Sequence, residues 1–377
     1  MTVDFDAVVD RSGTGSDKWN YYGDRDIIPM WVADMDFRAP PPVIEALHRR
    51  VDHGIFGYTD APAELTAAAR DMLAASFDWA VEPEWFVWLP GLVPGLHLAC
   101  AAVGEDSDEV LTMTPVYPPF LQAPARARRQ LVTVPLADHR GTIDFAALEA
   151  AITPRTRMLM LCSPQNPTGR VYDTDELNEL ADLCIRHDLV LVSDEIHFGL
   201  LLDPAARHTM TAQLGPEIAR RSITLIAPSK TFNIAGLGCS LAIIPDPFLR
   251  RRFNAARAGF VPKVNTLGFT AAAAAWRDCA DWHAGLIDYL RGNRDRVEAA
   301  VNAHPGLAMH AGAATYLAWI DARELGVEDP VAAFEDVGLG LSDGRHFGAP
   351  GFVRLNFGCP RATLDEGLRR LSCVGNT

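Results

Sequence analysis

The 377-residue chain sets 34 lysines and arginines against 48 aspartates and glutamates, a formal net charge of −14, which argues against nucleic acid or an anionic membrane as its main partner. Hydrophobic residues at 49% and charged residues at 22% describe an ordinary globular protein, long enough for a large core in two domains. Seven cysteines without a C-x-x-C pair and a start, "MTVDFDAVVDRSG", without a basic-then-apolar pattern predict a reduced, cytoplasmic protein with no metal site.

The first 45 residues, rich in aspartate, proline and aromatics, show no clear period. The turn "LPGLVPGLH" (89–97) follows, with a helix expected to begin at Pro94, a favoured first helical residue. "RMLMLCSP" (157–164) reads as a strand. "DTDELNELADLCIRH" reads as a helix, with Asp173 and Glu176 spaced as a capping box and Leu177, Leu180, Ala181, Cys184 and Ile185 at helical intervals. "LVLVSDEI" (189–196) is apolar on both faces, as a buried parallel strand should be. A helical stretch near 215–221 leads into a strand at Thr224–Ala227 that is expected to end at Lys230. This β-α-β-α-β order predicts a mostly parallel sheet covered by helices. After Cys279 the texture changes: "WHAGLIDYLRGNRDRVEAAVNAH" is a long amphipathic helix, and "ATYLAWIDA" and "GFVRLNFG" read as strands of a smaller α+β unit. The expected domains are residues 46–279, the larger, and residues 1–45 with 280–377, the smaller.

In an open parallel sheet, ligands bind at the carboxyl ends of the strands. Those ends carry Asn166 in "CSPQNPTG", Asp194 and His197 in "SDEIH", and Ser229 with Lys230 in "PSKT". The turn before the helix near Pro94 adds free backbone N–H groups suited to a phosphate. Taken singly, Asp194 reads as a helix cap, Asn166 as a turn residue and Lys230 as a surface lysine. Their agreement on one sheet edge points to a ligand. "PSKT" lacks the glycines of a P-loop, and no G-x-G-x-x-G follows a strand, so neither nucleotide reading holds. A phosphate cradle, an aspartate and a lysine together fit pyridoxal 5′-phosphate. The lysine forms a Schiff base with its aldehyde, and the aspartate keeps its ring nitrogen protonated.

Over nearly its full length the chain resembles the fold-type I class I/II aminotransferase superfamily, and more closely its cystathionine β-lyase branch, the MalY/PatB-type C–S lyases. The matching stretches are "MWVADMDFRAPPPVIEALHRRVDHGIFGYT", the text at 159–171, "SDEIH", "SKTFNIAGLG" and "GFVRLNFGCPR". The resemblance implies Lys230 as the Schiff-base lysine and Asp194 as partner of the ring nitrogen. Asn166 would bond the cofactor's 3′-oxygen, and His197 occupies a place where many aminotransferases carry a tyrosine. Tyr117 would lie over the ring, while the backbone of Leu92 and Val93 and the Ser229 hydroxyl would hold the phosphate. Tyr58 would reach a neighbouring subunit's phosphate, which implies a homodimer. Arg354 would grip the substrate α-carboxylate, with Trp31 and Ala33 beside the substrate. Many aminotransferases place a phosphate-binding arginine eight residues after the lysine, where this chain has Gly238. The implied activity is C–S β-elimination from cystathionine or related cysteine conjugates. An aminotransferase on the same scaffold is the alternative, and a regulatory binding protein with residual lyase activity a third.

Overall fold

The computed structural model describes residues 3–375. Its strands are, in chain order, β1 (Ile28–Pro29), β2 (Phe86–Leu89), β3 (Glu109–Thr114), β4 (Gln130–Pro135), β5 (Thr156–Cys162), β6 (Val190–Asp194), β7 (Ser222–Ile226), β8 (Ser240–Ile243), β9 (Leu317–Asp321), β10 (Leu339–Gly340), β11 (Ser342–Asp343) and β12 (Phe352–Asn356). A seven-stranded sheet runs β2-β8-β7-β6-β5-β3-β4. Strand β8 lies antiparallel to its neighbours β2 and β7, and the other pairs are parallel. Helices cover both faces, the α/β fold that the alternating pattern predicts.

The continuous apolar runs have a direct cause. Met158 and Met160 of β5 pack with Leu96, Phe120 and Phe253 on one face, while Leu159 and Leu161 pack with Leu177, Leu180 and Cys184 on the other. Both faces of the strand are dry, so side-chain alternation brings no polar residue with it. The helix Thr174–Arg186 opens on the expected capping box. Asp173 accepts from the Glu176 amide at 2.9 Å, and Glu176 accepts from the Asp173 amide at 3.0 Å.

Two expectations are corrected. The helix anticipated at Pro94 begins at Leu92; proline is tolerated throughout a first turn, whose N–H groups have no intrahelical partner, so it marks that turn only loosely. Strand β7 ends at Ile226, and Lys230 stands four residues further on, within turn residues 228–233. Pro228, which cannot donate to a ladder, starts that turn, and bonds from Phe232 N to Pro228 O (2.9 Å) and Ile234 N to Ser229 O (3.0 Å) hold it.

Beyond the large sheet, β11-β12-β9 form an antiparallel sheet, and β1 pairs in parallel with β10. Residues near the start of the chain therefore pack with the end of it: Met30, Met35 and Phe37 share a core with Leu290, Val353 and Leu355. Residue 46 lies inside the helix Pro41–His53, so a division there would cut a helix. The change of texture at Cys279 coincides with the start of the helix Ala280–Ala303. Among the described residues no helix is long and apolar enough to cross a membrane.

Candidate active site

Several pieces of chain converge at the carboxyl edge of the large sheet. Strand β6 ends at Asp194, which is buried and accepts the Ile196 amide on Oδ1 at 3.1 Å. Burial pushes its carboxyl up to about 7, against the opposing pull of Lys230. The Lys230 amine donates to the Ala33 carbonyl at 2.6 Å. Burial, then the Arg354 charge, pulls that amine down to about 8, while Asp34 and Asp194 act the other way. A lysine so placed has a neutral fraction at physiological pH far above that of an ordinary lysine.

His197 sits one turn beyond Asp194, buried, with Nδ1 lacking a hydrogen-bond partner among the described residues. Burial first, then the charges of Lys230 and Arg354, drives its pKa down to about 3, so the ring is neutral. Beyond the end of β5 comes Asn166, 4% exposed, whose side-chain oxygen accepts from Arg354 Nη1 at 2.9 Å. Arg354 lies in the middle of β12 and is itself buried. Its Nη2 donates to the Trp31 carbonyl at 2.9 Å and to Ser342 Oγ at 3.2 Å, and its guanidinium lies over the Phe347 ring at 4.7 Å. Nε has no partner among the described residues. A buried guanidinium bonded only to neutral groups among the described residues is suited to hold an anion, and its pKa falls to about 10 through burial.

The N-terminus of the helix Leu92–Ala102 faces the same edge, with Leu92 and Val93 in its first turn. Gly238 lies against this loop: at φ +57°, a Cβ there would come within 2.9 Å of the Pro90 carbonyl oxygen. The missing arginine thus has a local reason, since close backbone approach leaves no room for a side chain in that direction. Ser229, partly exposed, immediately precedes the lysine. Tyr117 caps the helix Pro118–Arg126 just after β3 and is half-buried. Tyr58 is fully exposed, together with Ile55 and Phe56, so it takes no part in the site within its own chain.

Trp31 and Ala33 enter through their backbones, Trp31 as acceptor for Arg354 and Ala33 as acceptor for Lys230. Sequence reasoning missed the residues that hold this strap. Asn356 Nδ2 donates to the carbonyls of Val32 and Asp34, each at 2.6 Å. Asn233 accepts from the Met35 amide at 2.9 Å and donates to the Met35 and Phe37 carbonyls at 2.8 Å. A buried Lys18–Asp36 pair at 2.7 Å and Arg11 bonded to Asp34 and Asp36 fasten the outer side. Tyr316, also missed, donates to Ala33 at 3.0 Å from within "ATYLAWIDA", where alternation presents it as one more core aromatic.

These residues fit pyridoxal phosphate. A helix N-terminus, a buried carboxyl, a histidine nitrogen without a partner among the described residues and a perturbed lysine stand at one edge of the large sheet, and each matches a different polar group of that molecule.

The description "Aminotransferase class I and II" matches residues 25–371. The chain is 39% identical to cystathionine beta-lyase PatB of Bacillus subtilis, over 99% of this chain and all of the relative. It is similar to the crystal structure of OvoB, with 47% identity, a TM-score of 0.96 and 98% of each chain covered. Cystalysin from Treponema denticola, whose structure contains pyridoxal 5′-phosphate, superposes with a TM-score of 0.93 at 34% identity, over 99% of this chain and 98% of that one. The fold and site are those of a pyridoxal-phosphate enzyme. The chain belongs to the class I and II aminotransferase family, on its C–S lyase side.

Proposed function

We propose that the protein is a pyridoxal-phosphate-dependent carbon–sulfur β-lyase that cleaves L-cystathionine or related cysteine S-conjugates to a thiol, pyruvate and ammonia. The observation that carries the chemistry is a perturbed Lys230 within electrostatic reach of the buried guanidinium of Arg354, whose charge lowers the lysine's pKa. What favours lyase over aminotransferase is the full-length similarity to cystathionine β-lyases, joined by Gly238 in place of an arginine.

When bound, the cofactor supplies an electron sink for charge that develops at the substrate α-carbon. Leu92, Val93 and Ser229 would hold its phosphate, and Asp194 would keep a proton on its ring nitrogen. Tyr117 would cover the ring, and Asn166 and His197 would face its 3′-oxygen. Arg354 fixes the substrate α-carboxylate with a planar fork, which aims the α-hydrogen at Lys230. The neutral Lys230 amine removes that proton as general base. The substrate Cβ–S bond then breaks, the thiolate leaves with the electron pair, and a proton from the site completes the thiol. Addition of one water to the three-carbon remainder yields pyruvate and ammonia.

Residues 46–279, joined by the rest of the helix Pro41–His53, serve in this reading as the cofactor-binding unit, with the remainder of 1–45 and 280–377 carrying the carboxylate receptor. The working form is a homodimer, supported by the exposed run Ile55, Phe56 and Tyr58. A cytoplasmic location agrees with cysteines that are all unpaired among the described residues. Incubation with L-cystathionine alone should release thiol, pyruvate and ammonia in equal amounts. Strict dependence on an added 2-oxo acid, with its conversion to the matching amino acid, would establish the aminotransferase instead.

A further inference from the structure

Two donors converge on one backbone oxygen at the centre of the site. Lys230 Nζ and Tyr316 Oη lie 2.6 and 3.0 Å from the Ala33 carbonyl oxygen. A carbonyl only accepts, so the tyrosine must be donating, and its hydrogen points towards the atom that also holds the lysine. The peptide cannot swing to relieve this competition. Asn356 holds the carbonyls on either side at 2.6 Å, and Arg354 and Ser342 hold Trp31 at 2.9 and 2.6 Å. Tyr316 is 1% exposed, and burial pushes its phenol well above the usual range, so it remains a donor wherever the protein is folded.

We propose that Tyr316 is a positioning residue for Lys230: by sharing the Ala33 carbonyl it weakens that oxygen's hold on the lysine ammonium and favours the neutral amine. This rests on the lyase reading only for what the amine then does. The groups facing Lys230 are Arg354, Asp34, Asp194 and His197, and those facing Tyr316 are Asp34, Arg354, Tyr117 and His197. Tyr316→Phe changes none of them. It removes one hydroxyl and leaves the carbonyl, still pinned, to the ammonium alone.

The chain contains three lysines, which makes the test direct. Full-length protein stripped of cofactor is acetylated with trace acetic anhydride across a pH series, and each lysine is quantified by peptide mass spectrometry. The exposed Lys263 serves as internal reference. In Tyr316→Phe the Lys230 midpoint should rise by about half to one pH unit, the effect expected of one hydrogen bond, while Lys263 stays put. The acid limb of kcat in cofactor-loaded protein, which reports the lysine once substrate has freed it, should move the same way. Site-specific 3-fluorotyrosine at 316, a stronger donor, should lower the midpoint, and this decides the matter if the phenylalanine variant fails to fold. An unchanged or lowered midpoint in the phenylalanine variant, or no downward shift with fluorotyrosine, overturns the proposal. A shifted midpoint in protein that releases no thiol from cystathionine would leave Tyr316 its role and remove the lyase reading.

Discussion

Arg354 donates to the side-chain oxygen of Asn166 at 2.9 Å, tying β12 of the small sheet to the turn after β5 of the large one. The arginine is held on four sides by Asn166, Trp31, Ser342 and the Phe347 ring, and among the described residues no carboxylate touches it. Its orientation is therefore set before any substrate arrives, and binding need not order it.

Arg354→Lys should lower kcat/KM about 10- to 100-fold, chiefly through KM, because an ammonium cannot reproduce a planar fork. The variant should keep its cofactor, since Arg354 is assigned to the substrate. Steady-state kinetics with cofactor absorbance measured in parallel checks both halves. Loss of cofactor with unchanged KM would move Arg354 out of the substrate site.

Asp194→Asn should reduce kcat by at least about 100-fold, as loss of one preorganised charge at a reacting centre commonly does. The same variant should be more stable than wild type when free of cofactor above pH 7. The carboxyl rises from 3.8 to about 7 on folding, so between those values the folded state binds more protons than the unfolded state. Stability then falls as pH rises through this window, and the buried carboxylate remains a cost above it. Asparagine removes that cost. Urea unfolding should show the largest advantage near pH 8, shrinking to nothing near pH 4; an advantage independent of pH would refute the linkage.

Asp194, Asn166 and Lys230 were legible because a strand dry on both faces gives an unbroken apolar run, and the polar residue after it stands out. The tool is coarse by a few residues. Lys230 lies beyond a proline-started turn rather than on β7, and the helix near Pro94 starts earlier. Tyr316, Asn233 and Asn356 carried no such signal. Each acts on a backbone carbonyl of the 31–37 strap, far away in sequence, and in its own segment each looks like ordinary strand or turn. Ala33 itself contributes only a main-chain oxygen, which every residue has. Contacts of this kind become visible only once the fold has brought the strap to the lysine.

Gly238→Ala should destabilise the protein by about 1–3 kcal/mol, from the left-handed backbone and the approach to the Pro90 carbonyl together. The damage should spread to the neighbouring loop at Gly91 and Leu92, so cofactor should dissociate faster than from wild type. Thermal unfolding and cofactor release during dialysis report the two effects. Gly236, whose Cβ position is open, provides the control: Gly236→Ala should leave cofactor retention near wild type. Equal behaviour of the two variants would mean that close approach at 238 is irrelevant to the phosphate loop.

Tyr58 is fully exposed and neighbours the exposed Ile55 and Phe56, an arrangement that makes sense for a residue used by another subunit. Tyr58→Ala and Lys230→Ala should each be impaired, the second almost completely. In a dimer of one of each, the site built around the intact Lys230 receives its tyrosine from the partner, and the other site lacks both. Random reassortment of equal amounts makes about half the dimers hybrids with one good site of two, so activity should return to about a quarter of wild type. Subunits are mixed under conditions that permit exchange, hybrids are verified by native mass spectrometry, and thiol release is followed. Recovery to that level places Tyr58 in the partner's site. Hybrids that form without recovery would confine Tyr58 to its own chain, where its exposure leaves it no catalytic contact.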